Sequence, residues 1–532
     1  MQDADAIIIG GGHNGLVCAT YLARAGLRVL VLEKRDLVGG AAVTEEFHPG
    51  FRNSTASYAV SLLNAKVIED LKLHDHGLNI VERPLPNFWP LSTRPGDFLK
   101  FHNELEDTQE EIAKFSKADA TALPGYYDAI SNAADFVRDL VLETPPNFGG
   151  GMHDLWRAIK TANSFRKRSF SDQQILFDLF TKSAAAFLDA WFEHTSVKAA
   201  FAFDSIVGNY ASPHMPGTAY VLLHHVFGDV NGEKGKWGHA IGGMGAITQA
   251  MARAAQAEGV QIRVESAVGN LVVEDGKTTG VRLESGETLR SPIVASNVDP
   301  KNLFSNLVAP ADAPPVFASR MDHYQCGSGT FRMNVALREL PDFPCLPGTQ
   351  HADHHSAGII IGPTLDYLED AYLDARRFGW SQAPVIEILF PSTIDDTLAP
   401  AGAHVASLFC QHFSPNLDRK GGWDLNREAA ADLIIDTVNQ YAPNFRDSVI
   451  ARQIHSPADL ERKFGLSRGD IFHGRLSLDQ IFAARPALGS AAYRMPIPGL
   501  YLCGSGAHPG GGVTGAPGHN AAREIIRDWR RR

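Results

Sequence analysis

Cysteine is scarce, with five in 532 residues (Cys18, Cys326, Cys345, Cys410, Cys503) and no CxxC pair among them. That scatter excludes a disulfide framework, a zinc ribbon and a dithiol redox centre, and fits a reducing compartment. Long apolar runs are also lacking. Stretches such as 184–188 and 220–223 fall far short of the roughly 20 residues a membrane-spanning helix needs, so any membrane contact is expected to be peripheral. Positive charge is in deficit: 49 Lys and Arg against 60 Asp and Glu leave a net charge of −11, which repels phosphate backbones and excludes nucleic acid as a partner. The first strand-like run begins at residue 5, with no basic and apolar leader before it. A signal peptide is therefore not expected, and the expected location is the cytoplasm. What remains is ordinary globular composition, 44% hydrophobic and 20% charged, in a chain long enough for two or three structural units.

Residues 5–33 read as strand, glycine turn, helix, strand. Gly26 stands where a helix ends on a C′ glycine, and LRVLVLE has the composition of a buried parallel strand. From about 104 to 203 the apolar spacing turns helical. A second helix and strand follow Gly242-Gly243-Met244-Gly245, then a strand pair around Asp275-Gly276, closing at SPIVASN. Between 301 and 469, strands such as TFRMNVALREL and VIEILFP alternate with a helix near 426–440, as in an antiparallel sheet carrying helices. The carboxyl end reads strand, glycine loop, helix.

The turn Gly10-Gly11-Gly12-His13-Asn14-Gly15 matches G-x-G-x-x-G. In a chain with 49 glycines the pattern alone is weak, and Gly510-Gly511-Gly512-Val513-Thr514-Gly515 matches it too, without a following strand. Context distinguishes the first match: a strand before it, a helix opening at it, and Glu33 about 20 residues on, where a ribose-binding carboxylate belongs. Gly10 permits the tight turn, Gly12 lets the backbone approach a pyrophosphate, and Gly15 lets the helix pack on the strand. The helix amino terminus faces the negative charge. Glu33 favours an unphosphorylated ribose, hence FAD or NAD over NADP. Gly243-x-Gly245-x-x-Thr248 lacks a third glycine, and no second nucleotide site is expected there.

After Glu33 and Lys34 come Gly39-Gly40-Ala41 and the aromatic, glycine-bearing segment Phe47-His48-Pro49-Gly50-Phe51. Here the chain resembles the flavin-dependent amine oxidase and phytoene desaturase superfamily, in its branch holding the cyanobacterial-type carotenoid ketolases. Blocks 242–287 and 499–522 agree with it in chain order. The resemblance implies that the cofactor held by Gly10, Gly12, Asn14, Gly15, Glu33 and Lys34 is FAD, with the turn Gly39-Gly40-Ala41 beside the flavin and Val268 holding the adenine side through its backbone. It implies that Gly504, Gly511, Gly512 and Val513 line the ribityl chain and ring. It also implies an α/β fold: a discontinuous Rossmann-type FAD-binding domain (1–95, 236–300, 470–532), a helical cap (96–235) and an antiparallel-sheet substrate domain (301–469).

His508, in the terminal loop, is the one titratable side chain expected near the flavin, where it would orient substrate or steer a proton, unless it only hydrogen-bonds the loop. The cluster His351-Ala352-Asp353-His354-His355 has ligand residue types without helical spacing, and reads as surface histidines and no metal site. Trp237-Gly238-His239 faces either substrate or core. Leu155-Trp156-Arg157, Lys160 and Arg166-Lys167-Arg168 combine basic and apolar residues as does a helix lying on an anionic membrane, or else form a solvated helix face. The expected reaction is hydride abstraction from a hydrophobic, carotenoid- or isoprenoid-like molecule, with dioxygen or a quinone as electron acceptor. Amine oxidation, redox-neutral isomerisation, a non-catalytic flavoprotein and a homo-oligomer stay open.

Overall fold

The computed structural model describes residues 3–418 and 421–531. Its first layer is a five-stranded parallel sheet in the order Gln261–Arg263, Val29–Leu32, Ala6–Ile9, Val294–Ser296, Leu500–Leu502. The strands come from three separated stretches of chain. Ala6–Ile9, Val29–Leu32 and Val294–Ser296 are buried along their whole length, which is why they read as unbroken apolar runs. The first helix, His13–Arg24, packs against the terminal helix, Ala516–Trp529. Their approach is so close that a Cβ on Gly518 would lie 2.2 Å from the Asn14 carbonyl oxygen.

The second layer is a seven-stranded sheet, ordered Val449–His455, Phe331–Leu337, His404–Phe413, Trp380–Leu389, Gly358–Ile361, Asn87–Pro90, Phe98–Phe101. Two expectations change here. The sheet is mixed and not antiparallel throughout, because Gly358–Ile361 runs parallel to Asn87–Pro90. A boundary at residue 95 also cuts through this sheet, since its last two strands arise from 87–101. Asn87–Pro90 ends on a proline, which is tolerated at the end of a strand.

Alternation along the strands gives the sheet two different faces. Phe331, Met333, Ile386, Ile388, Leu408 and Cys410 pack against the helix Trp423–Tyr441 in one apolar cluster. The opposite face carries Arg332, Asn334, Glu387, Ser407 and Gln411, all buried, with Ile360, Val385 and Phe409 among them. These last three join the core of a helical cap that includes Lys117–Val141, Thr195–Ala202 and Thr218–Val226. One helix stands apart: Met152–Arg166 has no buried residue.

Candidate flavin site

Gly10 leaves the first strand with φ of +95°, a conformation cheap only for glycine. Gly12 is the N-cap of the first helix and offers no side-chain cap, so the first-turn N–H groups and the positive helix end stay free for an anion. A Cβ on Gly12 would lie 2.7 Å from Asn297 Nδ2, and one on Gly15 would lie 2.3 Å from the Gly10 carbonyl oxygen. Glu33 is buried. One carboxylate oxygen accepts the Gly11 N–H at 2.8 Å and the other the Arg35 N–H at 2.9 Å, and each retains a lone pair for a ribose hydroxyl. The Gly39 N–H, donated to the Gly11 carbonyl at 2.8 Å, brings the Gly-Gly turn onto the first loop.

Gly10, Gly12, Glu33, Lys34, Gly39, Gly40, Ala41 and Val268 line one cavity of about 300 Å³. Ser505, from the terminal loop, lines it as well, and its hydroxyl accepts a hydrogen bond from Asn14 Nδ2 at 3.1 Å. Gly504 sits beside it, where a Cβ would meet the Asn297 carbonyl oxygen at 2.6 Å. Ser505 thus brings the terminal loop, nearly 500 residues away in sequence, to the cleft of the first glycine turn, while Gly504, Gly511, Gly512 and Val513 do not line it. Gly511 and Gly512 lie against Phe472 and Leu62, with Cβ positions 2.6 and 2.4 Å from those side chains. Val513, with φ of +58°, packs into the adjoining apolar cluster.

Asn297, His13 and His473, also on this cavity, were not singled out from the sequence. Asn297 had a signal, as the polar residue leaving the carboxyl end of a parallel strand, where ligands bind in such sheets; His473 had none. His13 Nε2 and His473 Nδ1 are buried without a partner. Burial, then the nearby His473, holds His13 down to about 3, and burial, then Arg485, holds His473 down to about 4, so both rings are neutral. Orphaned ring nitrogens, a bare helix amino terminus and a carboxylate with spare lone pairs form a cradle suited to the oxygen-rich chain of FAD.

His508 takes a different place from the one expected. It lines neither this cavity nor the aromatic one below. Its Nε2 is 2.9 Å from the Leu140 carbonyl, its ring packs edge-on to Phe482, and burial pushes it down to about 4. It joins the terminal loop to the cap, so the substrate-facing role is withdrawn. His354 and His355 are buried, not at the surface; His355 Nε2 reaches the Pro341 carbonyl at 3.0 Å. Among the described residues no three metal-ligating side chains converge. Gly243 and Gly245 press on Thr44, with Cβ positions 2.4 Å from its hydroxyl and 2.5 Å from its N. They are packing glycines.

A second cavity, about 370 Å³, opens between the cap and the strands Asn87–Pro90 and Phe98–Phe101. Its aromatic lining includes Trp89, Phe101, Tyr126, Phe201 and Trp237, with Asp204 as the sole acid. His239 turns away and pairs with Asp395 at 2.8 Å. Asn87, on its wall, converges with Glu387 and Arg83 on Gly358, all within 3.3 Å of the Cβ position there. The segment 57–64 then spans the two glycine loops. Its Ser57 N–H is donated to the Ala41 carbonyl and its Asn64 N–H to the Thr514 carbonyl, at 3.0 and 3.1 Å.

Comparison with known proteins agrees with this geometry. The family described as flavin containing amine oxidoreductase matches residues 15–330. The chain is 41% identical to pyridine nucleotide-disulfide oxidoreductase domain-containing protein 2 of Rattus norvegicus, over 98% of this chain and 93% of that one. It is 26% identical to a phytoene desaturase (lycopene-forming) of Pseudescherichia vulneris, over 96% of each. Cyclohexylamine oxidase of Brevibacterium oxydans shares the fold, with a TM-score of 0.59 at 17% identity over 99% of this chain and 100% of that one. The cofactor is FAD, and the chain belongs to the flavin containing amine oxidoreductase family as an FAD-dependent oxidoreductase.

Proposed function

We propose that this oxidoreductase removes hydride from a carbon of a lipophilic, isoprenoid-like molecule, giving a desaturated or oxidised product, with dioxygen or a quinone as the electron acceptor. The aromatic cavity carries this reading, because Trp89, Phe101, Tyr126, Tyr127, Phe201 and Trp237 give it ring surfaces against which an apolar body can pack, with its polar groups between them. A relative named for phytoene desaturation supports it. FAD supplies the hydride acceptor. The chain supplies orientation, water exclusion and proton handling. Burial, then the Glu387 carboxylate, pushes Asp204 up to about 7, so at neutral pH it can take up the proton released beside the oxidised carbon. The other charged residues on this cavity are Arg138, Lys234 and Lys236, which disfavour an ammonium substrate.

Anaerobic mixing of the yellow holoprotein with phytoene, farnesol or farnesoic acid in micelles tests this directly. Bleaching of the visible flavin band is expected with at least one isoprenoid, whereas bleaching by putrescine or cyclohexylamine alone would overturn it. Asp204→Asn is expected to keep its flavin and slow the reduction by roughly 100-fold. The wild-type rate is expected to rise as pH increases through about 7, and Asp204→Asn should abolish that rise.

Membrane delivery fits the same reading. Met152, Leu155, Trp156 and Ile159 are 81%, 53%, 58% and 51% exposed on a helix that also presents Lys160, Arg166 and Lys167, the pattern of an amphipathic helix on an anionic bilayer. Among the described residues no helix is long and apolar enough to cross a membrane. The protein is expected to sediment with phosphatidylglycerol vesicles and to lose most of that binding when Trp156 and Ile159 are both changed to Ser. Equal sedimentation of the two forms would refute membrane contact through this helix.

A further inference from the structure

The cap-facing side of the seven-stranded sheet holds more charge than an apolar oxidation requires. Arg332, 1% exposed, projects between apolar neighbours on Phe331–Leu337. Its Nη2 donates to the Ser407 hydroxyl at 2.7 Å, and its guanidinium lies 4.6 Å from the centre of the Tyr58 ring. Its Nε and Nη1 are buried without any partner. Arg83, 7% exposed, lies near Glu387 and 6.0 Å from the Trp237 ring that lines the aromatic cavity. The one fully enclosed acid between them is Glu387, whose carboxylate accepts the Tyr58 hydroxyl proton.

Two guanidiniums against one carboxylate leave this cluster positive. Burial raises the Glu387 carboxyl against the pull of Arg83, Tyr58 and Arg332, and it lowers both guanidiniums. Burial likewise holds Asp204 near 7. Buried guanidinium donors are costly to leave unpaired, and folded proteins give such groups a partner, an ion or a ligand. The Arg83, Asn87 and Glu387 side chains meet at Gly358, and Asn87 also lines the cavity with room for an apolar body. Tyr58, stacked on Phe409 with ring centres 5.2 Å apart, lies on the segment that joins the two flavin loops.

We infer that Arg332 and Arg83 receive an anionic group of the substrate, so that the molecule oxidised here is a lipophilic carboxylic acid held by its carboxylate at the sheet and by its apolar body among the cavity aromatics. This rests on the reading of a lipophilic substrate and narrows it. Guanidinium donors match a carboxylate fork, which an alcohol or hydrocarbon of the same shape cannot satisfy.

Matched pairs test the inference: farnesoic acid against farnesol, and decanoate against decanol, titrated into flavin-loaded protein and followed by perturbation of the visible flavin spectrum. The acids are expected to bind about 10- to 100-fold more tightly than the alcohols. In Arg332→Met and in Arg83→Met the acid-to-alcohol ratio should fall toward one, and Arg332→Lys should keep part of it. Should the Met variants fail to fold, thermal stabilisation of the wild type by acid and not by alcohol serves as the second measurement. Equal or absent binding of both members of each pair overturns the inference, as does a preference for acid that survives both Met variants. Failure of the broader reading looks different: amines bleach the flavin and isoprenoids of any end group do not.

Discussion

Gly15→Ala should yield a protein that leaves purification without its yellow cofactor. The added Cβ would lie 2.3 Å from the Gly10 carbonyl oxygen and 3.2 Å from both Asn297 Nδ2 and Ile8 Cγ2. The nearest obstacle is backbone and cannot rotate away. The first helix must back off the strand, carrying with it the free N–H groups that would hold a pyrophosphate. An affinity loss of at least about 100-fold is expected, and a flavin-to-protein ratio near zero. Gly26→Ala is the control. Gly26 has φ of +92° but nothing within 4 Å of its Cβ position, so it should cost only about 1 kcal/mol of backbone strain and retain the flavin. Absorbance at the flavin band relative to 280 nm measures both. A Gly15→Ala protein as yellow as the wild type would show that the glycine turn does not cradle FAD.

The contrast between these glycines shows how much of the site can be read from the chain. The first loop is legible because its signals are local: strand, glycine turn, helix and Glu33 fall within 30 residues, and each constrains the next. Meeting of the two loops was legible only through resemblance, since the Asn14 to Ser505 contact spans 491 residues. The strand Asn87–Pro90 was missed for a related reason, as its neighbour Gly358–Ile361 lies some 270 residues downstream, and Phe98–Phe101 joins the sheet only through Asn87–Pro90. Arg332 and Glu387 did leave a trace. Each is a single charged residue inside an otherwise apolar strand, TFRMNVAL and VIEILF, and such a residue is rarely buried without a purpose. His508 taught the opposite lesson. A histidine in a flavin-side loop is drawn here to a backbone carbonyl of the cap, and nothing in its neighbours in sequence encodes that partner.

Loss of the Glu524 carboxylate should be among the most destabilising changes away from the cofactor. Glu524 is fully buried on the terminal helix. It pairs with Arg157 at 2.8 Å, Arg494 at 2.9 Å and Arg527 at 3.0 Å, and accepts the Thr144 hydroxyl proton at 2.8 Å. These partners come from the exposed helix, from the loop before the last strand, from the terminal helix itself and from the end of the cap. Glu524→Leu leaves three guanidiniums short of an acceptor, at a cost of about 3–5 kcal/mol. The lower end is favoured because Arg494 retains Asp528 at 2.7 Å and Arg157 retains Asp154 at 3.5 Å. Burial alone would raise the Glu524 carboxyl, but Arg494, Arg157, Thr144 and Arg527 outweigh it and hold it below the usual range. A depressed carboxyl contributes its full stability above the unfolded value of about 4.3 and loses it as pH falls through the folded one. The gap between wild type and Glu524→Gln in urea denaturation should therefore be wide at pH 7 and narrow below about pH 4. Because Gly518 of the same helix abuts Asn14 in the flavin turn, Glu524→Leu should also release FAD at a lower temperature than the wild type. A variant that unfolds and releases its flavin alongside the wild type would mean that the terminal helix is held by its apolar face alone.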